Sequence, residues 1–321
     1  MNRYVEAWLD SYPPDSRQRR RRVRALERFE KSVRRDAPTL LEKALQSTHG
    51  CQEVEDTLED YRRNLISKGR NEYSATQSCR EVRTFFTKNH ARLARFPRDI
   101  VSQPRHRPTS TLSRDDVTKM IQKADNVRDQ LVIAFLAQTG QRVAVLTAIK
   151  KVMIREKGPK AFPYGLVEVN VDDLIDPEGR NVNRYRVYYR FVIGREAMQL
   201  VKKMPASKGG WLFDIGERQI ARIVSKSGKD ADVQKRRLTG LPKRYMYKVH
   251  PNALRRYWKA QMRQAGVKDS DVLNFLMGNK PPYDGRSHEF SDEEVLRIYK
   301  MAEKALKLDF PPASKKRRAS T

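Results

Sequence analysis

The stretch from residue 91 to 111, ARLARFPRDIVSQPRHRPTST, limits how this chain can fold more than any other feature. It holds three prolines and five arginines against the single acid Asp99, and its apolar residues follow neither a helical nor a strand period. Such a segment cannot build a hydrophobic core and is typical of a linker. We therefore predict a basic linker over residues 93–112 between two domains, each of which buries its own core.

The charge of the chain indicates a polyanionic partner. Its 67 lysines and arginines exceed its 39 acids by 28, which is more than solubility requires. A membrane surface is the competing polyanion, but the sequence has no apolar run long enough to cross a bilayer, no signal peptide and no acylation motif. Cys51 and Cys79 have no neighbours at metal-ligand spacing, so we expect reduced thiols in a cytoplasmic, DNA-associated protein. Double-stranded DNA is the favoured partner, and RNA stays open as an alternative.

The first domain, residues 1–92, is predicted to be helical. Apolar residues recur at steps of three and four in RQRRRRVRALERFEKSVRR, CQEVEDTLEDYRRNLISKG and SATQSCREVRTFFTKNH. Gly69 is expected to end the second of these helices. Arg19 and Arg22 lie on the polar side of the first, which is either a phosphate-contacting face or a solvated one. The residues predicted to face the core are Val23, Leu26, Phe29, Val33, Val54, Leu58, Tyr61, Leu65, Ala75, Cys79, Val82 and Phe86.

The second domain, residues 113–308, is predicted to be α+β. SRDDV is close to a capping box with Ser113 and Asp116, and VRDQLVIAFLAQTG is an apolar helix that stops at Gly140. Two alternating stretches, LVEVNVDD and RYRVYYRFVI, flank a turn-rich segment and predict a small antiparallel sheet. Helices return from Glu196 onward, and residues 309–321 are expected to be a basic disordered tail. The predicted fold class is mainly α, with a helical domain followed by an α+β domain that carries this sheet.

Two arginines of the second domain stand where a phosphate could be held. Arg142 follows the helix-ending Gly140, so its guanidinium projects from a fixed backbone position, which suits a bidentate clamp. Arg255 lies about one turn into its helix, where backbone N–H groups and the helix dipole favour an anion. Each alone is more often an ordinary surface arginine. Together, in a basic two-domain chain, they indicate a phosphate clamp.

The order of its motifs makes the chain resemble the tyrosine recombinases, or phage-type integrases, and within them the archaeal integrases. TGQR, with Arg142, is similar to the first-arginine motif of that family, and NALRRYW, with Arg255, to its His-x-x-Arg box. LMGNKPPYDGRSHEF resembles the stretch that leads into the nucleophilic tyrosine. GRNEYSATQSCREVRTFFTKN looks like the last helix pair of the core-binding domain, so the resemblance covers nearly the whole chain.

The resemblance implies site-specific recombination or integration of a mobile element. In the family two arginines bind the scissile phosphate, a tyrosine attacks it, and a lysine and histidines move protons. No cofactor, metal or small-molecule substrate is implied. Protomers of the family assemble as dimers or tetramers on paired DNA sites, and DEEVLRIYKMAEKAL resembles the segment that packs against a neighbouring protomer.

Several catalytic residues of the family are replaced in this chain. Asn252 takes the place of the histidine in the His-x-x-Arg box, and His250 lies two residues too early. Asn279 replaces the histidine that follows Met-Gly, and Ser287 replaces the tyrosine. No lysine occurs inside residues 161–201, where the sheet of the family carries its catalytic lysine. Asparagine cannot shuttle a proton near neutral pH, and serine is much shorter than tyrosine.

Three hypotheses follow from these replacements. The leading one is a divergent integrase-like DNA-binding protein whose strand cleavage is impaired or lost. The second is an active recombinase that uses Tyr283, in the same loop, or a tyrosine from a partner; the third is a DNA-architectural or regulatory binder. Trp258 and Tyr299 are interpreted as packing residues. The residues expected to contact DNA beside the arginine pair are Arg19, Arg22, Arg105, Arg107, Arg184, Arg256, Lys243 and Arg244.

Overall fold

The structure, a computed structural model, describes residues 2–14, 16–94, 112–205, 207, 209–233, 236–238, 245–247, 249–279 and 290–310. The chain divides into two compact units, unit 1 over residues 1–108 and unit 2 over residues 109–321. Each unit has its own hydrophobic core. The predicted linker and basic tail fall largely outside the described residues, and the boundaries of the predicted segments stay predictions.

Unit 1 is built from helices in its described part. They are α1 (Arg3–Leu9), α2 (Arg17–Val33), α3 (Ala37–Gln46), α4 (Thr48–Ser67) and α5 (Glu72–Lys88). Helices α2, α4 and α5 confirm the predicted ones, and Gly69 follows the cap of α4 with a φ of +82°, as predicted for a helix-ending glycine. The sequence patterns miss α1 and α3. Both are shorter than three turns, so their periodicity does not stand out.

An aromatic cluster forms the centre of unit 1. The ring of Phe29 packs edge-on against those of Tyr61 and Phe86, with ring centroids 5.3 Å and 6.3 Å apart. Edge-to-face pairs of this kind add about 0.5–1.5 kcal/mol beyond the burial of their surface. The residues predicted to face the core are buried, except that Val23 and Val33 are only partly buried and pack at its edge.

Unit 2 combines helices with antiparallel strands in its described part. The helices are α6 (Arg114–Gln122), α7 (Val127–Thr139), α8 (Val143–Ala148), α9 (Arg195–Lys203), α10 (Glu217–Asp230), α11 (Pro251–Gln264), α12 (Ser270–Leu276) and α13 (Asp292–Leu306). The strands are β1 (Ile154–Lys157), β2 (Tyr164–Val169), β3 (Tyr189–Ile193), β4 (Arg236–Leu238) and β5 (Tyr245–Tyr247). None of the described helices is both long and apolar enough to cross a membrane.

Helix α7 lies at the centre of unit 2. It contacts α6, α9, α10, α11 and strand β3, and every residue from Leu131 to Thr139 is buried. A helix covered on all sides carries no polar stripe, which explains why VRDQLVIAFLAQTG is apolar along its whole length. The helix ends at Gly140, as predicted, and α6 begins with the capping box predicted for Ser113 and Asp116.

Strand β2 is the middle strand of the three-stranded sheet. It pairs antiparallel with β1 on one side and with β3 on the other, so that Val167 lies opposite both Ile154 and Phe191. The β2–β3 pair confirms the predicted antiparallel sheet, whereas β1 is not predicted. The second alternating stretch becomes a strand only from Tyr189, because a turn occupies residues 183–186. Strands β4 and β5 form a separate short antiparallel pair.

A buried carboxylate organises the β2–β3 loop, residues 170–188. Asp176 is 3% exposed, and its Oδ1 accepts from the backbone N–H groups of Glu178 and Arg180 at 3.0 Å and 2.9 Å. Its Oδ2 accepts from Nε of Arg180 at 2.8 Å. Burial by itself would raise the pKa of Asp176, but the hydrogen bonds and charge of Arg180 outweigh it, and the pKa is lowered overall. The loop is therefore tied down from within.

Helix α13 packs against its own unit. Val295, Tyr299, Ala302 and Leu306 are buried, and the helix contacts α11 and β3. This packing confirms Tyr299 as a core residue, and burial raises the pKa of its hydroxyl well above the usual value. The segment that resembles a contact with a neighbouring protomer thus has its apolar face covered within the same chain.

Replacing Asp176 by Asn should destabilise unit 2 by about 1–2 kcal/mol, because it removes the charge of a buried group that accepts from Arg180. The folded-state pKa of Asp176 is lowered, so its contribution is present above the unfolded-state pKa of about 3.9 and is lost as the pH falls through the folded-state pKa. The gap between wild type and variant in the free energy of unfolding in urea should therefore shrink as the pH falls below about 3.9. Tryptophan fluorescence measures it, since Trp211 donates to the Ile175 carbonyl of this loop.

Glu178→Gln is the matched control. It removes one negative charge from a second partner of Arg180, but Glu178 is 70% exposed on its side chain, so the loss should stay below about 0.5 kcal/mol. Equal losses from the two substitutions would contradict the role assigned to the buried carboxylate.

Candidate functional site

Arg142 projects from the junction between α7 and α8. Gly140 caps α7 with a φ of +63°, and its N–H donates to the carbonyl oxygen of Leu136 at 3.1 Å. A Cβ at Gly140 would lie 2.6 Å from the ring of Trp258, which is buried as predicted, so both the backbone conformation and the space require glycine. Two residues later Arg142 is the N-cap of α8, and its side chain leaves from this fixed point.

Arg255 reaches the same place from α11. Its Nη1 donates to the carbonyl oxygen of Gly140, and its Nη2 donates to that of Met277 at 3.2 Å. These two residues cap the C-terminal ends of α7 and α12, where carbonyl groups lack partners inside the helix and the helix dipole favours a cation. Arg255 therefore connects the ends of α7 and α12, and its positive charge is not neutralised by these two carbonyl oxygens.

The side chain of Asn279 connects the two arginines. Its Oδ1 accepts from Nη2 of Arg142 and, at 2.8 Å, from Nη2 of Arg255, while Nη1 of Arg142 donates to the Gly278 carbonyl at 2.8 Å. On its other side Nδ2 of Asn279 donates to Oδ1 of Asn274 at 3.2 Å. Because guanidinium groups only donate, the amide atom that faces both of them has to be the oxygen. One neutral acceptor is thus shared by two cations.

A second glycine positions the segment that carries Asn279. Gly278 has a φ of +59°, and a Cβ there would lie 2.7 Å from the ring of Tyr189 on β3. Nearby, Nε2 of the buried Gln141 donates to the carbonyl oxygen of Leu276 at 2.8 Å, which links the residue before Arg142 to the end of α12. Burial raises the pKa of Tyr189, so this phenol stays neutral beside the arginines.

The charge of the arginine pair is not balanced within the described residues. The acceptors described for Arg142 and Arg255 are carbonyl and amide oxygens and, for Arg142, the hydroxyl of Tyr185, and no described carboxylate forms an ion pair with either. Burial lowers the pKa of Arg142, and burial together with the charge of Arg142 lowers the pKa of Arg255 to about 10. Burial also lowers the pKa of Lys259, one turn further along α11, with smaller contributions from Arg263 and Arg255. The arginines keep their protons at neutral pH, so an anion bound here would relieve their repulsion.

A phenol that the sequence analysis missed lies against Arg142. The ring centroid of Tyr185, in the β2–β3 loop, is 4.8 Å from Cζ of Arg142 and 5.4 Å from Cζ of Arg184. The run NRYRV shows a tyrosine between two arginines, but nothing in that run indicates that it folds back onto a residue more than 40 positions earlier. Arg184, predicted to contact DNA, is exposed beside this ring.

Solved recombinases and integrases have a similar fold. The Tn1549 transposon integrase in complex with transposon right end DNA is 13% identical over 92% of this chain and 97% of that chain, with a TM-score of 0.50. A lambda integrase tetramer bound to a Holliday junction is 13% identical over 91% and 79%, with a TM-score of 0.48. XerA recombinase is 16% identical over 92% and 96%, with a TM-score of 0.38. This chain has the tyrosine recombinase fold.

The recombinase fold confirms the predicted fold class and the resemblance at the level of architecture. No protein-family model matches the sequence, and no curated protein matches it. Sequence identities of 13% to 16% indicate a shared fold and do not assign roles to the site residues. The narrower resemblance to archaeal integrases stays a prediction.

Two residues of the predicted histidine box, Asn252 and His250, have no described hydrogen bond with Arg142 or Arg255. Asn252 is exposed near the start of α11, one turn before Arg255. His250 is the N-cap residue of this helix, and its Nε2 lies 3.1 Å from Nη2 of the exposed Arg256. Since the guanidinium can only donate, Nε2 accepts, and burial together with the charge of Arg256 lowers the pKa of His250. His250 is therefore held neutral, with its proton on Nδ1.

Two of the arginines predicted to contact DNA make contacts inside unit 1. Nη1 of Arg19 donates to the carbonyl oxygen of Leu9 at 3.0 Å, and the guanidinium of Arg22 lies 4.6 Å from the ring centroid of Tyr12 and 5.4 Å from that of Trp8. These contacts account for both arginines structurally, and DNA contact by either stays a prediction. Six predicted site residues lie outside the described residues: Tyr283, Ser287, Arg105, Arg107, Lys243 and Arg244.

Replacing Asn279 by Asp should place a carboxylate between the two guanidinium groups and supply the charge that they lack. We expect the free protein to unfold a few degrees higher, corresponding to about 1–2 kcal/mol, and inorganic phosphate to lose most of its stabilising effect. Thermal unfolding with and without phosphate measures both effects.

Asn274→Asp is the control, because it adds the same charge one side chain further from the arginines and still accepts from Asn279. It should retain the phosphate effect. If the Asn279→Asp variant responded to phosphate as wild type does, Asn279 would not be the shared acceptor of an anion site.

Proposed function

We propose that this protein binds double-stranded DNA and holds one backbone phosphodiester between Arg142 and Arg255. The observation that carries the proposal is the pair of partly buried guanidinium groups that share the neutral oxygen of Asn279 and have no described carboxylate partner. A net charge of +28 supplies the long-range attraction for such a polyanion. A phosphodiester has one negative charge and two non-bridging oxygens, which matches two donors on separate elements.

The hydrogen bonds within the protein leave donors for a phosphate. A guanidinium carries five N–H groups. Within the described residues Arg142 uses three of them, on Gly278, Asn279 and the hydroxyl of Tyr185, and Arg255 uses three, on Gly140, Met277 and Asn279. The remaining N–H groups belong to side chains whose direction is already set, so binding costs little additional ordering.

The wider role that we propose is recombination or integration of a mobile element, with two or four protomers assembled on paired DNA sites. Its support is the fold and the order of the TGQR, NALRRYW and LMGNKPPYDGRSHEF motifs. The integrase of similar fold, from transposon Tn1549, is in complex with transposon end DNA. In the proposed function the chain needs no cofactor, no metal and no small-molecule substrate, because the reaction of the family keeps its energy in a covalent link to DNA.

We further propose that strand cleavage is impaired in this chain. Asn279 presents an oxygen to the arginines and its amide nitrogen to Asn274, so it neither shuttles a proton nor donates to a phosphate from this position. Asn252 is exposed and cannot replace a histidine in proton transfer. Ser287 stands where the resemblance expects the tyrosine, and its alcohol is a poorer leaving and attacking group than a phenol. If cleavage is absent altogether, the proposed function is that of a non-catalytic DNA-architectural protein.

Changing Arg142 or Arg255 to Ala should each weaken duplex binding by about 2 kcal/mol, roughly thirtyfold, and the double change should cost less than the sum. Fluorescence anisotropy with a labelled duplex, over a series of salt concentrations, measures affinity and slope. Wild type should show a steep slope, and each substitution should lower it by about one unit.

Two further variants interpret that result. Arg255→Lys keeps the charge but loses the forked donor geometry and should still bind more weakly than wild type. Arg222→Ala removes an exposed arginine of α10 and should cost less than either site arginine. Strictly additive losses at 142 and 255 would mean that the two arginines hold different phosphates.

A nicked suicide duplex, which traps covalent protein–DNA complexes, should yield no 3′-phosphate link with the wild-type chain, or only a very slow one. Each proton transfer that lacks its histidine should lose about 10²-fold in rate. Ser287→Tyr combined with Asn252→His and Asn279→His should restore trapping if the scaffold is otherwise intact. Robust trapping by wild type that is abolished in Tyr283→Phe would contradict the proposal that strand cleavage is impaired and would identify Tyr283 as the nucleophile.

A further inference from the structure

The β2–β3 loop brings a solvent-accessible phenol to the arginine pair. Tyr185 is 38% exposed, and its ring centroid lies 4.8 Å from Cζ of Arg142 and 5.4 Å from Cζ of Arg184. Packing of cations against the ring orients it, and its hydroxyl oxygen accepts a hydrogen bond from Arg142, which leaves the phenolic proton free to donate. The phenol is near enough to affect the pKa of Arg142, where it opposes the larger effect of burial.

A well-defined turn holds Tyr185 in this place. The N–H of Arg186 donates to the carbonyl oxygen of Asn183 at 3.0 Å, which makes Arg184 and Tyr185 the two central residues of a β-turn. The side chain of Asn183 is buried, and its Nδ2 donates to the carbonyl oxygen of Val187 at 2.8 Å. Arg186 completes the turn with a φ of +49°. The position of Tyr185 is therefore set by the backbone, as a ligand-contacting residue requires.

Tyr189 is the other described phenol that affects the pKa values of both arginines, and it has a different role. It is 2% exposed, its ring packs against Gly278, and it lies 6.1 Å from the ring of Phe191 in a stacked arrangement. A hydroxyl enclosed in this way cannot meet a DNA backbone. Tyr185 is left as the accessible phenol beside the pair.

We propose that Tyr185 is a phosphate-contacting residue, whose hydroxyl donates a hydrogen bond to a non-bridging oxygen of the phosphodiester held by Arg142 and Arg255. This inference rests on the proposed function. A phenol donates while remaining neutral, and a hydrogen bond to a charged oxygen is roughly twice as strong as one between neutral groups. The β2–β3 loop thus contributes a neutral donor to the phosphate, although it carries no lysine.

The test uses the full-length protein with two probes, dimethyl phosphate followed by ³¹P NMR titration and a labelled duplex followed by anisotropy. Tyr185→Phe removes only the hydroxyl and keeps the ring against Arg142, whereas Tyr185→Leu removes both. We expect Tyr185→Phe to weaken binding of each probe on the order of tenfold. In combination with Arg142→Ala it should add less than it does alone, because both groups hold one phosphate.

Tyr188→Phe is the matched control, since it removes a hydroxyl from the same loop that is bonded to Glu168 at 2.7 Å. It should leave phosphate affinity unchanged. If Tyr185→Phe binds both probes as wild type does while the arginine variants lose binding, the proposed hydroxyl contact is wrong. The result for Tyr185→Leu does not change that conclusion. If the arginine variants also bind like wild type, the proposed function itself fails, and the two outcomes are thus distinguishable.

Discussion

Two like charges lie side by side in unit 2 because uncharged oxygens accept their hydrogen bonds. The carbonyl groups of Gly140, Met277 and Gly278 and the amide of Asn279 hold the guanidinium groups of the two site arginines. None of these oxygens carries a formal charge, so the arrangement fixes geometry without cancelling charge. The remaining positive charge is what makes the site suited to an anion.

This arrangement depends on two close approaches of the backbone. Gly140 lets the end of α7 meet Trp258 of α11, and Gly278 lets the segment after α12 meet Tyr189 of β3. Both glycines have a positive φ, so a side chain at either position would strain the backbone as well as separate the packed elements. Carbonyl groups at these helix ends would then no longer face Arg255. The geometry of the site in unit 2 therefore depends on the packing of the core around Gly140 and Gly278.

The nature of the shared acceptor decides which chemistry the site can support. A histidine can accept a proton and return it, whereas Asn279 presents only an oxygen to the arginines and is held in that orientation by Asn274. In the proposed function this site holds a phosphate without moving protons to or from it. The contact proposed for Tyr185 fits the same interpretation, because a neutral phenol donates a hydrogen bond, whereas proton transfer would need a group that titrates near neutral pH.

The sequence by itself determined the features that depend on neighbouring residues. Helices α2, α4 and α5, the capping box at Ser113, the end of α7 at Gly140 and the β2–β3 pairing all follow from local period and local chemistry. Short elements such as α1, α3 and β1 were not predicted, because too few residues show their hydrophobic pattern. Motif order also singled out Arg142, Arg255 and Asn279, although not the hydrogen bonds that connect them.

Only the tertiary structure decided how the site is assembled. Arg142 and Asn279 are 137 positions apart, and Tyr185 comes from a third segment, so no local period places them together. The direction of the Asn279 amide depends on two donors that meet only after α7, α11 and α12 have packed. Likewise, the contacts of Arg19 with Leu9 and of Arg22 with Tyr12 depend on α1, which the sequence pattern did not reveal. Hydrophobic patterning specifies which face of an element is buried, but packing between distant elements specifies which polar atoms then meet.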